Sequence, residues 1–74
     1  MTPKQKSIVE KMKAGCALVR SFDVYGGYWY WLRPINEKVR KATAEAMVRD
    51  GIVIPGEERR VYSGYRENIH TLAP

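Results

Sequence analysis

The stretch at residues 36–54, NEKVRKATAEAMVRDGIVI, decides the fold, because it reads as a basic amphipathic helix stopped by a glycine and followed at once by an apolar strand. Ile35, Val39, Ala42, Thr43, Ala46 and Met47 recur at spacings of three and four and predict the buried face of a helix. Lys38, Lys41, Glu45 and Arg49 mark the opposite face, with Arg40 at its flank. Pro34 closes whatever precedes, Asn36 is the expected N-cap, and Gly51 ends the helix before the strand Ile52, Val53 and Ile54.

Working back towards the N-terminus, Thr2, Pro3 and Gln5 supply an N-cap, a first-turn proline and the reciprocal partner of a capping box. A first helix therefore starts at once. It buries Ile8, Val9 and Met12, keeps Lys4, Lys6, Glu10, Lys11 and Lys13 wet, and ends near Gly15. Between the two helices, ALVRSF (17–22) and YWYWLR (28–33) flank a loop containing Gly26 and Gly27, the pattern of a β-hairpin. Side chains alternate across a strand, so Tyr28, Tyr30 and Leu32 point one way and Trp29, Trp31 and Arg33 the other. A domain this small buries one of these two sets, and the other is expected to be covered by a terminal segment or left partly exposed.

Beyond the second helix, Pro55, Gly56, Glu57 and Glu58 read as a turn, and residues 59–65 as a further strand. The closing NIHTLAP either extends this sheet or caps the core through Ile69 and Leu72. The expected order is α-β-β-α-β-β, an α+β fold with a small antiparallel sheet packed on two helices, and the 74 residues form a single domain (1–74).

Thirteen Lys and Arg against eight Asp and Glu give a net charge of +5 and a pI near 9.6, which favours acidic partners such as nucleic acid, an acidic protein surface or anionic lipid. The single cysteine, Cys16, forms no internal disulfide and has no metal-site spacing, which points to a cytoplasmic chain. No stretch has the length and hydropathy of a membrane span, so no membrane partner is expected. His70 stands alone, the serines Ser7, Ser21 and Ser63 lie in no catalytic motif, and Gly26-Gly27 precedes a strand rather than a helix. No cofactor, metal or enzymatic activity is expected.

The run ATAEAMVRDGIVI (42–54) resembles the end of the recognition helix and first wing strand of winged helix-turn-helix domains, with RVYSGY (60–65) in the place of the wing. TPKQKSIVEKMKAG resembles the opening helix of the same folds. The order of elements is similar to small phage-type and YjhX-like winged-helix proteins, in which a hairpin lies between the two helices, where an ordinary helix-turn-helix has a bracing helix. The resemblance implies a small DNA-binding regulator of phage or mobile-element type, in which Asn36, Lys38, Arg40 and Lys41 approach the DNA and Arg33, Arg59 and Arg60 flank it as phosphate contacts. The same charges also form the favoured i,i+4 pairs Glu37 to Lys41 and Glu45 to Arg49, which would make them a solvated face.

The aromatic run can be core, a stacking platform for single-stranded nucleic acid or the anchor of a protein interface. The alternative function is accordingly a protein-binding module, such as a phage-encoded inhibitor of a host factor or a host-defence complex. It would use Trp29, Trp31, Tyr62 and Tyr65 as anchors beside the basic face. A homodimer is compatible with the DNA reading, since operator half-sites come in pairs.

Overall fold

A computed structural model describes residues 1–62 and 64–74, with Tyr62 described in its backbone alone. The elements are α1 (Pro3–Lys13), β1 (Ala17–Phe22), β2 (Tyr28–Arg33), β3 (Glu37–Val39), α2 (Lys41–Arg49), β4 (Val53–Tyr62) and β5 (Tyr65–Leu72). The strands form one antiparallel sheet in the order β3-β2-β1-β5-β4. Both helices pack on one face of it, so the small α+β class and the antiparallel sheet on two helices are as expected. The order is α-β-β-β-α-β-β, with one strand more than the sequence suggested.

That extra strand corrects the reading of residues 36–54. Glu37, Lys38 and Val39 pair with Leu32, Trp31 and Tyr30 and close the outer edge of β2, whose backbone groups would otherwise lack partners beside a buried tyrosine. Val39 is buried as expected, but from a strand. Asn36 is no N-cap: it sits in the β2–β3 turn at φ 55, a left-handed conformation that asparagine tolerates better than most residues. Arg40 takes the N-cap position and makes no side-chain capping bond.

With the helix starting at Lys41, its buried face shifts to Ala44 and Met47, both fully enclosed, while Ala42 is exposed, Thr43 and Ala46 are half-buried and Ile35 is 52% exposed. Neither i,i+4 ion pair forms. Glu37 is drawn to Lys11 of α1, Glu45 accepts a hydrogen bond from the Tyr28 hydroxyl, and Arg49 turns to Asp50. Gly51, at φ 74, ends α2 as expected, and the Ile52 amide closes back on the Met47 carbonyl.

α1 follows its sequence signals. The Thr2 hydroxyl accepts from the Gln5 amide, the Gln5 side chain accepts from the Thr2 amide, and Ile8 and Met12 face the core. In the β1–β2 loop, Asp23 Oδ1 accepts from the amides of Tyr25 and Gly27, which fixes the hairpin. Pro55–Glu58 is not a turn but part of β4, where a β-bulge sets Gly56 and Glu57 against Ile69. The strand expected over 59–65 is divided between the end of β4 and the start of β5, and Ser63 lies outside the described residues. NIHTLAP extends the sheet as β5, while Leu72 also packs against the core.

The core is Ile8, Met12, Leu18, Tyr30, Leu32, Val39, Ala44, Met47 and Val53, all on the helix side. Of the two aromatic sets, the sheet buries Tyr30 and Leu32 with half-buried Tyr28, and leaves Trp29, Trp31 and Arg33 on the helix-free face. Among the described residues no helix is long and apolar enough to cross a membrane.

Candidate nucleic-acid interface

Cross-strand partners in a sheet point to the same face, so the registers assign each cation to a side. Arg33, Lys38 and Arg59 fall on the helix-free face with Trp29 and Trp31, whereas Arg60 lies opposite Arg66 on the helix side, where Lys41 also stands. Asn36 and Arg40 are exposed at the turn before β3 and at the start of α2. The residues expected to act together are therefore divided between two surfaces. Tyr65 begins β5 and is partly exposed, and the side chain of Tyr62 lies outside the described residues.

On the helix side the two helices enclose the Leu18–Leu32–His70 row of the sheet and Tyr30 and Val39 of the next. The other end of the sheet carries an alternating row of cations and rings. Lys41 Nζ sits 4.3 Å from the centre of the Tyr28 ring, the Arg20 guanidinium lies 5.9 Å from Tyr28 and 4.9 Å from Phe22, and the Arg66 guanidinium lies 5.1 Å from Phe22. Ring faces attract cations, which offsets part of the repulsion among the three like charges. Arg60 continues the row onto β4.

Two carboxylates border this row. Glu58 pairs with Arg66 at 3.2 Å, and Glu45 accepts from the Tyr28 hydroxyl at 2.9 Å; that hydrogen bond, with the charge of Glu45, pushes the Tyr28 phenol above its ordinary pKa. Arg20 donates to Asn68 Oδ1 at 3.1 Å, while its Nε is buried with no hydrogen-bond partner among the described residues. Beyond Arg66 and Arg60 the β1–β2 loop and the β4–β5 hairpin line an open groove of about 440 Å³.

The helix-free face has a different chemistry. Lys38, Trp31, Val19 and Ile69 form one cross-strand row, and Trp29, Ser21, Glu67 and Arg59 the next. Glu67 is buried and paired with Arg33, and Arg59 approaches its other oxygen at 3.7 Å. Arg33 is cross-strand from Ala17 yet also reaches Ser21, so its stem lies along β1 across Val19. Val19 is buried on this face between its cross-strand neighbours Trp31 and Ile69.

Sequence reasoning did not single out Arg20, Phe22, Tyr28 or Arg66 as interface residues. Arg20 and Phe22 do alternate with Leu18 along β1, but their neighbours Tyr28 and Arg66 come from strands whose register the sequence does not state. Elsewhere, Glu37 is held below the usual carboxylate range by its hydrogen bond from Lys11, and Cys16 is a half-buried free thiol. Among the described residues no cluster of His, Cys, Asp and Glu could hold a metal ion. Comparison with protein-family models, with curated proteins and with solved structures finds no match.

Proposed function

We propose that this chain is a non-enzymatic DNA-binding module, a small regulator of phage or mobile-element type. It holds duplex DNA along the row from the start of α2 to the β4–β5 hairpin. The observation that carries the reading is the unbroken file Lys41, Tyr28, Arg20, Phe22 and Arg66, which links a helix start to a hairpin by cation–ring contacts of 4.3–5.9 Å. Tyr28, Phe22, Arg66 and Arg60 lie on four adjacent strands, which at about 4.8 Å per strand span about 14 Å. The major groove is about 12 Å wide, so the two ends of the file match phosphates on opposite strands.

The winged-helix likeness adds support. α2 leads through Gly51 directly into β4, and β4 and β5 form a hairpin whose inner strand pairs with β1, the succession a helix and wing require. The cations that reach DNA differ from those the likeness alone implied: Lys41 and Arg60 remain, Arg20 and Arg66 join them, and Arg33, Lys38 and Arg59 face away.

Fluorescence anisotropy with a labelled random-sequence duplex tests the proposal. Four phosphate contacts give a salt slope near −3.6, so affinity falls about a hundredfold between about 50 and 200 mM salt. The double variant Lys41→Gln, Arg60→Gln lowers the slope by about two. Absence of binding at the lower salt concentration, or a slope unchanged by the double variant, refutes it.

A further inference from the structure

We infer that the helix-free sheet face is a second site, one that takes an unpaired oligonucleotide by stacking its bases on Trp29 and Trp31. The inference is independent of duplex binding on the opposite face.

Trp29 and Trp31 are the only tryptophans in the chain, and both stand on this face, one 37% exposed and the other half-buried. They are alternate residues of one strand, so their attachment points are about 6.8 Å apart. That is twice the roughly 3.4 Å rise per base along a nucleic-acid strand. In a paired, stacked duplex each base face is already covered by its neighbours, whereas a single strand drawn out to about twice its stacked rise presents one free base face to each indole. Sheets that carry aromatic side chains on an open face read unpaired bases in this way, and stacking tolerates any base because each has a π-face.

The charges on the face fit the same ligand. Lys38, Arg33 and Arg59 outnumber the carboxylates on this face, which are Glu67 and, at the β4 bulge opposite Ile69, Glu57. Lys38 is exposed at the rim beside Trp31 and has no ion pair among the described residues. Arg59 is 68% exposed and loosely held at 3.7 Å, which leaves its guanidinium able to meet a phosphate. Arg33 is pinned by Glu67 across Val19, so it presents a fixed planar cation, a surface on which bases also stack. A second copy of the chain is a poor occupant, since pairing two such faces brings net positive charge against net positive charge.

Tryptophan emission of the full chain is the direct test, because it reports this face and no other. Oligo(dT) of about twelve nucleotides should quench it at micromolar concentration, an abasic strand of equal length should quench it weakly, and a duplex should bind without quenching. Trp29→Ala should weaken oligo(dT) binding about 5- to 150-fold. Lys38→Gln, at an exposed rim position that leaves the core intact, should lower the salt slope for the same ligand by about 0.7. The inference is overturned if oligo(dT) leaves the emission unchanged, if it binds equally to Trp29→Ala, or if acidic peptide quenches while oligo(dT) does not; the last outcome assigns the face to a protein partner. Failure of duplex binding with quenching by oligo(dT) intact would remove the proposed function and leave this site standing.

Discussion

Lowering the pH from 7.5 to 5.5 should destabilise the fold through one residue. His70 is the sole histidine of the chain and is 1% exposed in the core end of the sheet, edge-on to Tyr30 at 5.8 Å. Its Nδ1 lies 3.3 Å from the Asn68 carbonyl, and its Nε2 is buried with no hydrogen-bond partner among the described residues. Burial is the main cause that drives its pKa below the ordinary value of 6.5; the charge of Arg20 adds to it, and the Asn68 carbonyl opposes it. Well above pH 6.5 the ring is neutral in both folded and unfolded chains and stability is flat. Below 6.5 the unfolded chain takes up a proton that the folded chain refuses, so stability falls with falling pH.

The slope of that loss is at most about 1.4 kcal/mol per pH unit, which caps the loss at about 1.4 kcal/mol by pH 5.5. At about 2.1 cal/mol/K per residue the unfolding entropy of this chain is about 155 cal/mol/K, and the cap corresponds to a fall in Tm of about 9 °C. Carboxylates titrate lower, so the window belongs to His70. Thermal melts of the protein and of His70→Leu across this range, with the ring proton signals followed by NMR, check it. The variant should show no slope between pH 7.5 and 5.5, whatever its stability. A folded-state histidine titrating at 6.5 or above, or a slope that survives in His70→Leu, refutes the reasoning.

Two further substitutions probe the backbone. A Cβ at Gly56 would stand 2.2 Å from the Ile69 carbonyl oxygen, a backbone atom that moves only if β4 and β5 part; Gly56→Ala should therefore cost at least about 2 kcal/mol in chemical denaturation. Thr2→Ala removes the hydroxyl that accepts from the Gln5 amide, leaves the bond from the residue-2 amide to the Gln5 side chain, and should cost about 1 kcal/mol, or about 6 °C in Tm, with helical circular dichroism lost first.

Local chemistry made much of this protein legible from its residues. Thr2, Pro3 and Gln5 set the start of α1, Gly51 the end of α2, and the alternation of YWYWLR the two faces of β2, because each signal acts within a few residues of itself. Tertiary pairing decided the rest. Residues 37–39 carry a helical periodicity, yet the open edge of β2 took them as a strand, moved the helix start to Lys41 and turned Lys38 to the opposite face. Gly56 suits a turn, but the backbone of Ile69 made it a bulge within a long strand. The row Lys41, Tyr28, Arg20, Phe22 and Arg66 draws on α2, the β1–β2 hairpin and the distant β5, so only the register of β5 on β1 could reveal it. The sequence determined which side chains alternate and where helices stop; the folded sheet determined which cations and rings became neighbours, because cross-strand distance is independent of separation along the chain.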